Sequence, residues 1–470
     1  MNYGELIYQN DQSRIITRKE TFDNQDFIKV THDILALTHE NDLIIVIDDK
    51  SVSTALGLIG CICSERDILI IEIKQLKKSI NKIINDLRPE AILGSKEAIE
   101  GLSSTAKQLN NNLYIWKIKN EKNNIKLKTN SPILLISTSG TSGNFKFVAL
   151  THKSLYDNCR SINSYLCSTN LSRTINNLPL SYSYGLSILN TTLIAGGAYI
   201  CGDKSTYVRQ EFWDDCKFFE ITDFSGVPST YINIVDTELI NKLPLSIKTI
   251  TQAGGRLEIQ YQQKLLAYCL KKNINLYIMY GQTEATARLT AFNLKEYPNK
   301  IGSVGVPIQD VTLILASEKK STYENIELKF LSTGTFLDYI VTRDDLINLS
   351  DKNNGEISTG DLANIDEDGF IYIIGRRSRI CKINGKRISL DLLEKELEKI
   401  SNNIICVSND QKLYIITSYQ YSIILEKNIL DAIKKETGLA KIIVEVLWFK
   451  EIIFTNNGKI SYQEMEEIYL

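Results

Sequence analysis

Residues 137–146 combine the side chains that could bind a phosphate group. The apolar run 133–136 is followed by serine, threonine and glycine, STSGTSGNF, and then by Lys146. Small residues let backbone N–H groups approach an anion, and hydroxyls and an ammonium add donors. The same composition is common in surface turns, so this stretch alone fits a phosphate loop and a flexible turn equally. The chain contains no Walker A pattern, GxxxxGK[ST].

Four further stretches carry residues that could act on a nucleotide. In Tyr277–Glu284, YIMYGQTE, a tyrosine could stack on a base, a threonine could donate to a phosphate and the glutamate could hold Mg²⁺. Asp361 follows a glycine and could accept hydrogen bonds from ribose hydroxyls. Residues 375–389 are basic, and residues 456–460 place a lone lysine after Asn-Gly. Each also has an ordinary interpretation, as a strand end, an acidic hairpin, a solvated basic face or an exposed turn.

Composition excludes several classes of protein. A net charge of −2 gives no reason to expect nucleic acid or a membrane surface as partner. Nine scattered cysteines without a disulfide framework, and an N-terminus without an apolar signal region, predict reduced thiols in a cytoplasmic protein. HExxH, paired CxxC and GxSxG are absent, which disfavours zinc hydrolases and nucleophile-elbow enzymes.

The elements that must position these residues alternate between strand and helix. Between residues 42 and 280, short apolar runs alternate with amphipathic stretches, including a helix at 152–166 and a strand at 219–224, which predicts an α/β fold with a parallel sheet. Beyond residue 302 the pattern predicts a β-rich subdomain and then a small α+β region. We predict two domains, 1–376 and 377–470.

The order and spacing of the motifs resemble the ANL superfamily of adenylate-forming enzymes, which includes acyl-CoA synthetases, peptide-synthetase adenylation domains and luciferases. The family's phosphate loop, [YF]TSGTTGxPKG, is similar to residues 137–146, although Phe145 stands where proline is frequent. YGxTE, STGD, GRxxxxIKxxGxRI and the final GK are matched at 280–284, 358–361, 375–388 and 458–459. The resemblance covers nearly the whole chain and implies an N-terminal adenylation domain and a mobile C-terminal domain.

The resemblance also implies a role for each matched residue. The β- and γ-phosphates of ATP would be held by Thr138, Ser139, Gly140, Thr141, Ser142, Gly143 and Lys146. Glu284 would hold Mg²⁺, and Thr283 would donate to the α-phosphate. Tyr280, Gly254 and Gly255 would bind the adenine, and Asp361 and Arg376 would bind the ribose. Lys459 would bind the reacting carboxylate.

The substrate segment LPLSYSYG departs from the family's xPLFHxxG. The pocket would be lined by Tyr182, Ser183, Tyr184, Gly185 and Gly281, with the two tyrosines supplying aromatic walls and hydroxyls. Ser183 falls where amino-acid-activating relatives place an aspartate for the α-ammonium, and a buried ammonium without a counter-charge is costly. This argues against an ordinary α-amino acid as substrate. The polarity of Ser181, Ser183 and Ser187 favours a small or hydroxylated acyl group over a long fatty chain. Arg377 would be the hinge, and Asn384, Gly385 and Lys386 the thiolation loop.

The expected activity is ATP-dependent ligation of a carboxylic acid to a thiol through an acyl-adenylate, with ATP and Mg²⁺. The acceptor would be coenzyme A or the phosphopantetheine of a carrier protein acting in trans. Two alternatives stay open. One is a free-standing amino-acid adenylation enzyme serving a separate carrier protein, and the other is a non-catalytic nucleotide-binding relative.

Overall fold

The computed structural model describes most of the chain. The described residues are 10–103, 105–110, 112–118, 133–137, 146–202, 206–315, 321–383, 386–401, 404–409, 411–448, 452–453 and 460–469. Contacts between residues divide the chain into two compact units. Unit 1 comprises Met1–Thr138, Asn144–Leu313 and Phe330–Ile357, and unit 2 comprises Ser139–Gly143, Ile314–Lys329 and Ser358–Leu470.

The strands and helices of the described residues follow in chain order. The strands are β1 (Arg14–Ile16), β2 (Thr21–Phe22), β3 (Leu43–Asp48), β4 (Asp67–Glu72), β5 (Ala91–Gly94), β6 (Lys107–Gln108), β7 (Tyr114–Lys117), β8 (Ile133–Ser137), β9 (Phe147–Thr151), β10 (Arg173–Ile175), β11 (Ala198–Ile200), β12 (Asp223–Gly226), β13 (Thr249–Gln252), β14 (Asn275–Tyr280), β15 (Thr290–Asn293), β16 (Val306–Pro307), β17 (Val311–Ile314), β18 (Tyr323–Ser332), β19 (Tyr339–Ile340), β20 (Glu356–Ile365), β21 (Ile371–Arg376), β22 (Ile380–Ile383), β23 (Lys386–Ser389), β24 (Ile404–Ser408), β25 (Leu413–Thr417) and β26 (Val444–Trp448). The helices are α1 (Asn24–Leu37), α2 (Val52–Cys63), α3 (Ile73–Leu87), α4 (Lys96–Glu100), α5 (His152–Leu166), α6 (Ser183–Ile194), α7 (Gln210–Phe218), α8 (Pro228–Asp236), α9 (Ile259–Lys272), α10 (Arg343–Ile347), α11 (Leu390–Leu397), α12 (Ile423–Thr437) and α13 (Tyr462–Tyr469).

Unit 1 is built on two large mixed sheets. The first has the order β16-β15-β14-β13-β12-β10-β11-β1-β2, and its strands from β14 to β1 are parallel. The second has the order β19-β9-β8-β4-β3-β5-β7-β6, with a parallel centre from β8 to β5. The central strand β3 is buried along its whole length, as expected for a strand covered on both faces. The α/β fold with a largely parallel sheet is therefore confirmed.

Smaller sheets account for much of unit 2. The strands β17-β18-β20-β21 form a four-stranded sheet, β22 and β23 form a hairpin, and β24-β25-β26 form a three-stranded sheet. Helices α11 and α12 pack apolar residues such as Leu393, Leu397, Ile429 and Ile433 into a core shared with β24 and β25. The β-rich subdomain and the final α+β region are thus present. The division into 1–376 and 377–470 stays a prediction, because grouping residues by contact does not identify a hinge.

Most predicted elements appear within a few residues of their expected bounds, but one does not. The helix predicted at 152–166 is α5, with the same ends, and Thr151 caps it by accepting a hydrogen bond from the Ser154 N–H at 2.9 Å. The strand predicted at 219–224 is displaced toward the C-terminus and spans Asp223–Gly226. Helix α7 runs to Phe218, Glu220 adopts a positive φ of 49°, and the strand begins only at Asp223. Phe219, where the strand was expected to begin, lies at the end of a helix instead.

The structure bears on the oxidation state of the cysteines and on the presence of membrane-spanning helices. All nine cysteines lie within the described residues, and all nine are free thiols. Within the same residues, no helix has both the length and the apolar character needed to cross a membrane.

His152 makes the stability of unit 1 depend on pH. The side chain is 3% exposed, and neither of its ring nitrogens has a hydrogen-bond partner among the described residues. Burial lowers its pKa from 6.5 to about 4. As the pH falls, this histidine therefore binds a proton in the unfolded chain before it does so in the folded protein. The contribution of neutral His152 to the unfolding free energy is fully present above pH 6.5 and is lost between pH 6.5 and 4. We expect His152→Leu to reduce the pH slope of the unfolding free energy in this window by up to about 1.4 kcal/mol per unit. Urea titrations at several pH values measure that slope, and an unchanged slope would contradict the assignment.

Candidate active site

The segment after β14 carries the predicted nucleotide residues in a tightly folded turn. Strand β14 ends at Tyr280, and Thr283–Ala285 form a single 3₁₀ turn. The chain then folds back so closely that a Cβ atom at Gly281 would lie 2.1 Å from the Ala287 carbonyl oxygen, so only glycine fits. Thr286 adopts φ +63° and ψ −52°, a strained conformation for a β-branched residue. Strain of this kind is concentrated at functional sites.

The substrate segment meets this turn through two hydroxyls. Ser183 is the first residue of α6, and its Oγ lies 3.4 Å from the Oγ1 of Thr283. Asp48, at the end of β3, fixes the segment by accepting hydrogen bonds from the Ser181 N–H and hydroxyl, both at 2.8 Å. Burial raises the pKa of Asp48, and the two bonds from Ser181 oppose that rise. The two stretches predicted to form the reaction centre are therefore neighbours in unit 1.

Glu284 and Lys146 contact the same aromatic side chain, Tyr339. The Tyr339 hydroxyl donates to Oε1 of Glu284 at 2.9 Å, and Nζ of Lys146 lies 3.4 Å from the centre of the Tyr339 ring. The strand pairing explains this arrangement, because Tyr339 on β19 pairs with Val148 on β9 and Lys146 directly precedes β9. A positive charge over a tyrosine ring is attracted by it. One residue thus joins the end of the predicted phosphate loop to the predicted magnesium ligand.

The phosphate loop itself lies outside the described residues. Its two ends are described, since Ser137 of β8 and Phe147 of β9 are paired residues of an antiparallel hairpin. The loop is therefore the connection between two neighbouring strands of the second sheet. Thr138, Ser139, Gly140, Thr141, Ser142 and Gly143 fall on the part that is not described, as do Asn384, Gly385 and Lys459.

Gly254 adjoins one of the predicted substrate tyrosines, Tyr182. Gly254 has φ +84°, and a Cβ atom there would lie 2.3 Å from the Tyr182 hydroxyl. The Gln252 side-chain amide donates to the Gly255 carbonyl at 2.9 Å and fixes the turn. The close approach leaves a side-chain-free strip of backbone beside Tyr182. Such a strip suits a flat ring.

Tyr184 does not have the role that the sequence suggested for its hydroxyl. The side chain is 2% exposed, and its hydroxyl donates to the Thr251 carbonyl at 2.9 Å, with the Thr251 hydroxyl 2.8 Å away. The expectation that both tyrosines supply hydroxyls to the substrate is therefore wrong for Tyr184. Tyr182 is half-buried and Gly185 lies in the first turn of α6. The ring of Tyr184 faces the guanidinium of Arg288, 4.1 Å from its centre.

Unit 2 brings the predicted ribose residues together. Asp361 on β20 and Arg376 on β21 are paired residues of an antiparallel ladder, and the Arg376 Nε lies 3.0 Å from Oδ1 of Asp361. Asp361 is buried whereas the Arg376 side chain is exposed. The arginine side chain therefore lies over the buried carboxylate, and the role of the pair at a ribose stays a prediction.

Two arginines of the basic segment after Arg376 form ion pairs. The predicted hinge residue Arg377 pairs with Glu327 at 3.0 Å. Arg379 is buried, bonded to Asp391 at 2.7 Å and Glu394 at 2.5 Å, and stacked on the Tyr462 ring with its Cζ 3.6 Å from the ring centre. Arg379 is therefore not part of a solvated face, whereas Arg376, Arg377, Lys382 and Lys386 are exposed.

Lys386, predicted to lie in the thiolation loop, contacts the end of a helix. Its Nζ donates to the carbonyls of Thr437 and Gly438 at 3.0 and 2.9 Å, at the C-terminal end of α12. A cation at that end satisfies carbonyls that have no helical partner and complements the helix dipole.

Sequence reasoning missed three residues of the site: Asp48, Arg288 and Tyr339. A carboxylate at the end of a fully apolar strand is the signal that could have identified Asp48. An arginine four residues after Glu284 in an otherwise apolar stretch is the corresponding signal for Arg288. We find no sequence signal for Tyr339, because its role depends on the pairing of β19 with β9.

Comparison with known proteins places this geometry in context. The sequence model of the family described as AMP-binding enzyme matches residues 37–325, more than half of the chain. A 2-succinylbenzoate–CoA ligase of Lactococcus lactis subsp. lactis (strain IL1403) is 23% identical over 382 residues, 80% of this chain and 78% of the relative. A D-alanine–D-alanyl carrier protein ligase of Staphylococcus aureus (strain MRSA252) is 24% identical over 445 residues, 88% and 87% of the two chains.

Solved structures show the same fold. O-succinylbenzoate coenzyme A synthetase from Bacillus subtilis, in complex with ATP and magnesium ion, superposes with a TM-score of 0.73 at 18% identity and covers 99% of both chains. ATP-bound MatB from Rhodopseudomonas palustris gives a TM-score of 0.75 at 16% identity, with 100% of this chain and 99% of that chain covered. At this identity the structural likeness establishes the fold.

Proposed function

Because the chain belongs to the AMP-binding enzyme family, we propose that it activates a carboxylic acid as an acyl-adenylate and transfers the acyl group to a thiol of coenzyme A or of a separate carrier protein. It is an acid–thiol ligase that releases AMP and pyrophosphate. The observation that carries this proposal is the convergence of Ser183 with Thr283, and of Lys146 with Glu284 through Tyr339, in one unit. These are residue types that an attack of a carboxylate on an anionic phosphorus requires.

The residues fit ATP with Mg²⁺. Oε1 of Glu284 accepts the Tyr339 hydroxyl, and no described residue donates to Oε2, so one carboxylate oxygen can face a cation. The described residues contain no cluster of three or more metal-ligating side chains. A single carboxylate suits Mg²⁺, which keeps waters and takes its other ligands from phosphates. When bound, Mg²⁺ neutralises phosphate charge that would otherwise repel the incoming carboxylate.

The chain's own groups have the following roles in the first half-reaction. Thr283 donates a hydrogen bond to the α-phosphate beside Ser183, and Glu284 holds the metal. Lys146 binds the outer phosphates, which leave as pyrophosphate. To Lys459 we assign the role of stabilising the charge that develops between the acid carboxylate and the α-phosphate. Bond formation between the acid oxygen and the α-phosphorus, with departure of pyrophosphate, gives the acyl-adenylate.

The remaining assignments concern adenosine and the second half-reaction. Gly254, Gly255 and Tyr280 bracket the adenine. Asp361 accepts from the ribose hydroxyls beside Arg376. Rotation about Arg377 withdraws Lys459 and presents the loop Asn384–Lys386, so that a thiolate attacks the acyl carbonyl and AMP leaves. Alternation of this kind keeps the mixed anhydride away from water.

We expect Tyr339→Phe to weaken the use of Mg²⁺. The substitution keeps the ring under Lys146 but removes the hydroxyl that orients Glu284. A hydrogen bond to a charged group contributes about 1.5–3 kcal/mol, so we expect the Mg²⁺ concentration for half-maximal pyrophosphate exchange to rise about 10-fold or more. Tyr261→Phe is the matched control, since the Tyr261 hydroxyl also donates to a carboxylate, Asp236, at 2.6 Å in an exposed place. Equal Mg²⁺ dependence in the two variants would contradict the role of Tyr339.

The amino-acid alternative has a specific observation against it. Ser183 supplies no negative charge for an α-ammonium, and the nearby buried guanidinium of Arg288 would repel one. The non-catalytic alternative is disfavoured because Lys459, Glu284 and Asp361 are all present.

Product analysis tests the proposed function. The full chain is incubated with ATP, Mg²⁺ and a panel of amino, hydroxy, aryl, fatty and dicarboxylic acids, with either coenzyme A or a phosphopantetheinylated carrier protein. We expect an acyl thioester and AMP, detected by mass spectrometry, with one class of acid and one acceptor. Formation of ADP instead of AMP, or nucleotide binding without turnover of any acid, would reject the proposal.

A further inference from the structure

Arg288 is a buried cation beside the proposed acid site. Its residue is 3% exposed, and it follows Glu284 by four positions on the folded-back turn described above. Asn158 donates to its backbone carbonyl at 3.1 Å, which fixes the main chain at this point. The side chain extends from there toward α6, where Tyr184 and Ser187 lie.

The guanidinium has only neutral and distant partners among the described residues. Its Nε, Nη1 and Nη2 atoms donate to the Met279 Sδ at 3.4 Å, to the Ala287 carbonyl at 3.3 Å and to the Ser187 hydroxyl at 3.4 Å. No carboxylate of those residues lies within ion-pair distance of it. The Tyr184 ring gives some attraction, but a buried charge without an opposite charge costs several kcal/mol. The Arg288 guanidinium therefore has no negatively charged partner among the described residues.

The tyrosines around Arg288 do not supply that anion. Burial raises the pKa of Tyr165, Tyr182 and Tyr184, although the neighbouring guanidinium opposes the rise. All three hydroxyls are therefore protonated near neutral pH. The Tyr165 hydroxyl donates to the Met279 Sδ at 3.0 Å, and the Tyr184 hydroxyl bonds to Thr251. These uncharged side chains surround the guanidinium of Arg288 and give it no negative charge.

The position of Arg288 relative to the reaction centre is set by α6. Ser187, which the guanidinium reaches, lies one helical turn beyond Ser183, whose hydroxyl lies next to Thr283. Residues four apart on a helix share a face and are about 5–6 Å apart. The cation therefore lies about one helical turn from the place where the acid carboxylate reacts. Half-buried Tyr182 directly precedes Ser183 and lies near Tyr184, with ring centres 6.4 Å apart.

We propose that Arg288 binds a second carboxylate at the far end of the acid, so that the substrate is a short dicarboxylic acid. This inference rests on the proposed function, because it takes the acid to lie between Thr283 and Arg288. One carboxylate reacts beside Thr283, and the other forms the ion pair that Arg288 lacks. The separation of about one helical turn favours a spacer of a few atoms. Ser187 adds a neutral donor to the distal carboxylate.

The experiment compares each dicarboxylic acid with its neutral-ended analogue. Wild-type enzyme is assayed for acid-dependent pyrophosphate exchange with the series from malonate to adipate, with 2-succinylbenzoate, and with the corresponding monoamides. We expect a value of kcat/KM at least about 10-fold higher for the best diacid than for its monoamide. This arm needs no variant.

Arg288→Met then removes the charge while keeping an unbranched apolar side chain. We expect kcat/KM for the diacid to fall about 30-fold or more, as for loss of one partner of a buried ion pair, while the monoamide is unaffected or improved. Arg288→Lys should recover part of the diacid activity. Arg160→Met is the control, because Arg160 is exposed and pairs with Asp310 at 2.6 Å on the surface. Thermal unfolding of each variant verifies that it is folded.

Binding without turnover separates the two proposals. The wild-type chain is heated with each diacid or monoamide, and stabilisation by the diacid that Arg288→Met abolishes supports the anion site even if no exchange occurs. That outcome would reject the ligase proposal alone. Efficient exchange with monocarboxylic acids and no preference for diacids would overturn the Arg288 proposal alone. An equal loss of activity in Arg288→Met for every acid would also overturn it, because such a loss indicates a purely structural arginine.

Discussion

Replacement of Lys459 by alanine is expected to reduce acid-dependent ATP–pyrophosphate exchange by a factor of at least about 10²–10³. The reason is electrostatic. The acid carboxylate and the α-phosphate are both anionic, and in the proposed mechanism Lys459 is the cation placed between them. Removal of one preorganised charge at the reacting atoms raises the barrier of this step directly. Thioester formation from supplied acyl-adenylate should largely persist, because Lys459 is withdrawn in the second half-reaction.

The two half-reactions distinguish this role from a general effect on the C-terminal region. Lys412→Ala is the matched control, since Lys412 is an exposed lysine of unit 2 that pairs with Glu445 at 3.1 Å. It should leave both half-reactions unchanged. If Lys459→Ala slowed both half-reactions equally, or left exchange intact, the residue would not act at the bond being formed.

Glu394→Ala is expected to destabilise unit 2 by about 3–5 kcal/mol. Oε1 of Glu394 accepts from Arg379 and from the Cys406 N–H at 2.7 Å, and Oε2 accepts from the Tyr462 hydroxyl at 2.8 Å. Both Glu394 and Arg379 are buried. Truncation therefore leaves a buried guanidinium with one carboxylate instead of two and also removes the link from α11 to β24 and α13. Hydrogen exchange of the amides of β24 measures the local opening free energy.

Glu396 provides the control on the same helix. It is an exposed residue that pairs with Lys399 three positions later, and surface pairs contribute about 0–1 kcal/mol. Glu396→Ala should therefore change the exchange of β24 amides little. The double variant Arg379→Met with Glu394→Leu should recover part of the loss, because apolar groups of similar volume often replace a buried ion pair without penalty. Equal effects of the two single alanine variants would show that the buried network contributes little.

The same network bears on the proposed hinge. Asp391 accepts from the Arg376 N–H at 2.6 Å and from the Arg379 Nε at 2.7 Å, so one carboxylate fixes the backbone on the N-terminal side of Arg377 and a side chain on its C-terminal side. A Cβ atom at Gly375 would lie 3.0 Å from the Asp391 side chain, which explains the glycine. Rotation about Arg377 therefore requires the hydrogen bond between the Arg376 N–H and Asp391 to break.

Local sequence patterns predicted much of the fold and drew attention to residues that the structure brings together. The alternation of apolar runs and amphipathic stretches predicts β3, β4, α2 and α3 because the period of a strand or helix is a local property. Gly281 and Gly254 could likewise be identified, since they match motif positions and the structure shows the close approaches that require glycine. Asp361 and Arg376 are 15 positions apart and paired on one hairpin.

Contacts between distant segments could not be predicted in this way. Asp48 and Ser181 are 133 positions apart, and their hydrogen bonds depend on where β3 ends relative to the segment before α6. Tyr339 reaches Glu284 only because β19 lies against β9. The Tyr184 hydroxyl was assigned to the substrate because a tyrosine in a pocket motif has a polar tip. The structure turns that tip into the core, toward Thr251.

The measurement that tests the central claim most directly is ATP–pyrophosphate exchange by the full chain across the acid panel, with and without Mg²⁺. Exchange reports reversible formation of an acyl-adenylate and does not depend on the identity of the thiol acceptor. We predict exchange that requires both Mg²⁺ and one class of acid, and that falls at least about 10²-fold in Glu284→Gln, where the metal ligand loses its charge. Exchange that proceeds without added acid, or is unchanged in Glu284→Gln, would contradict the account.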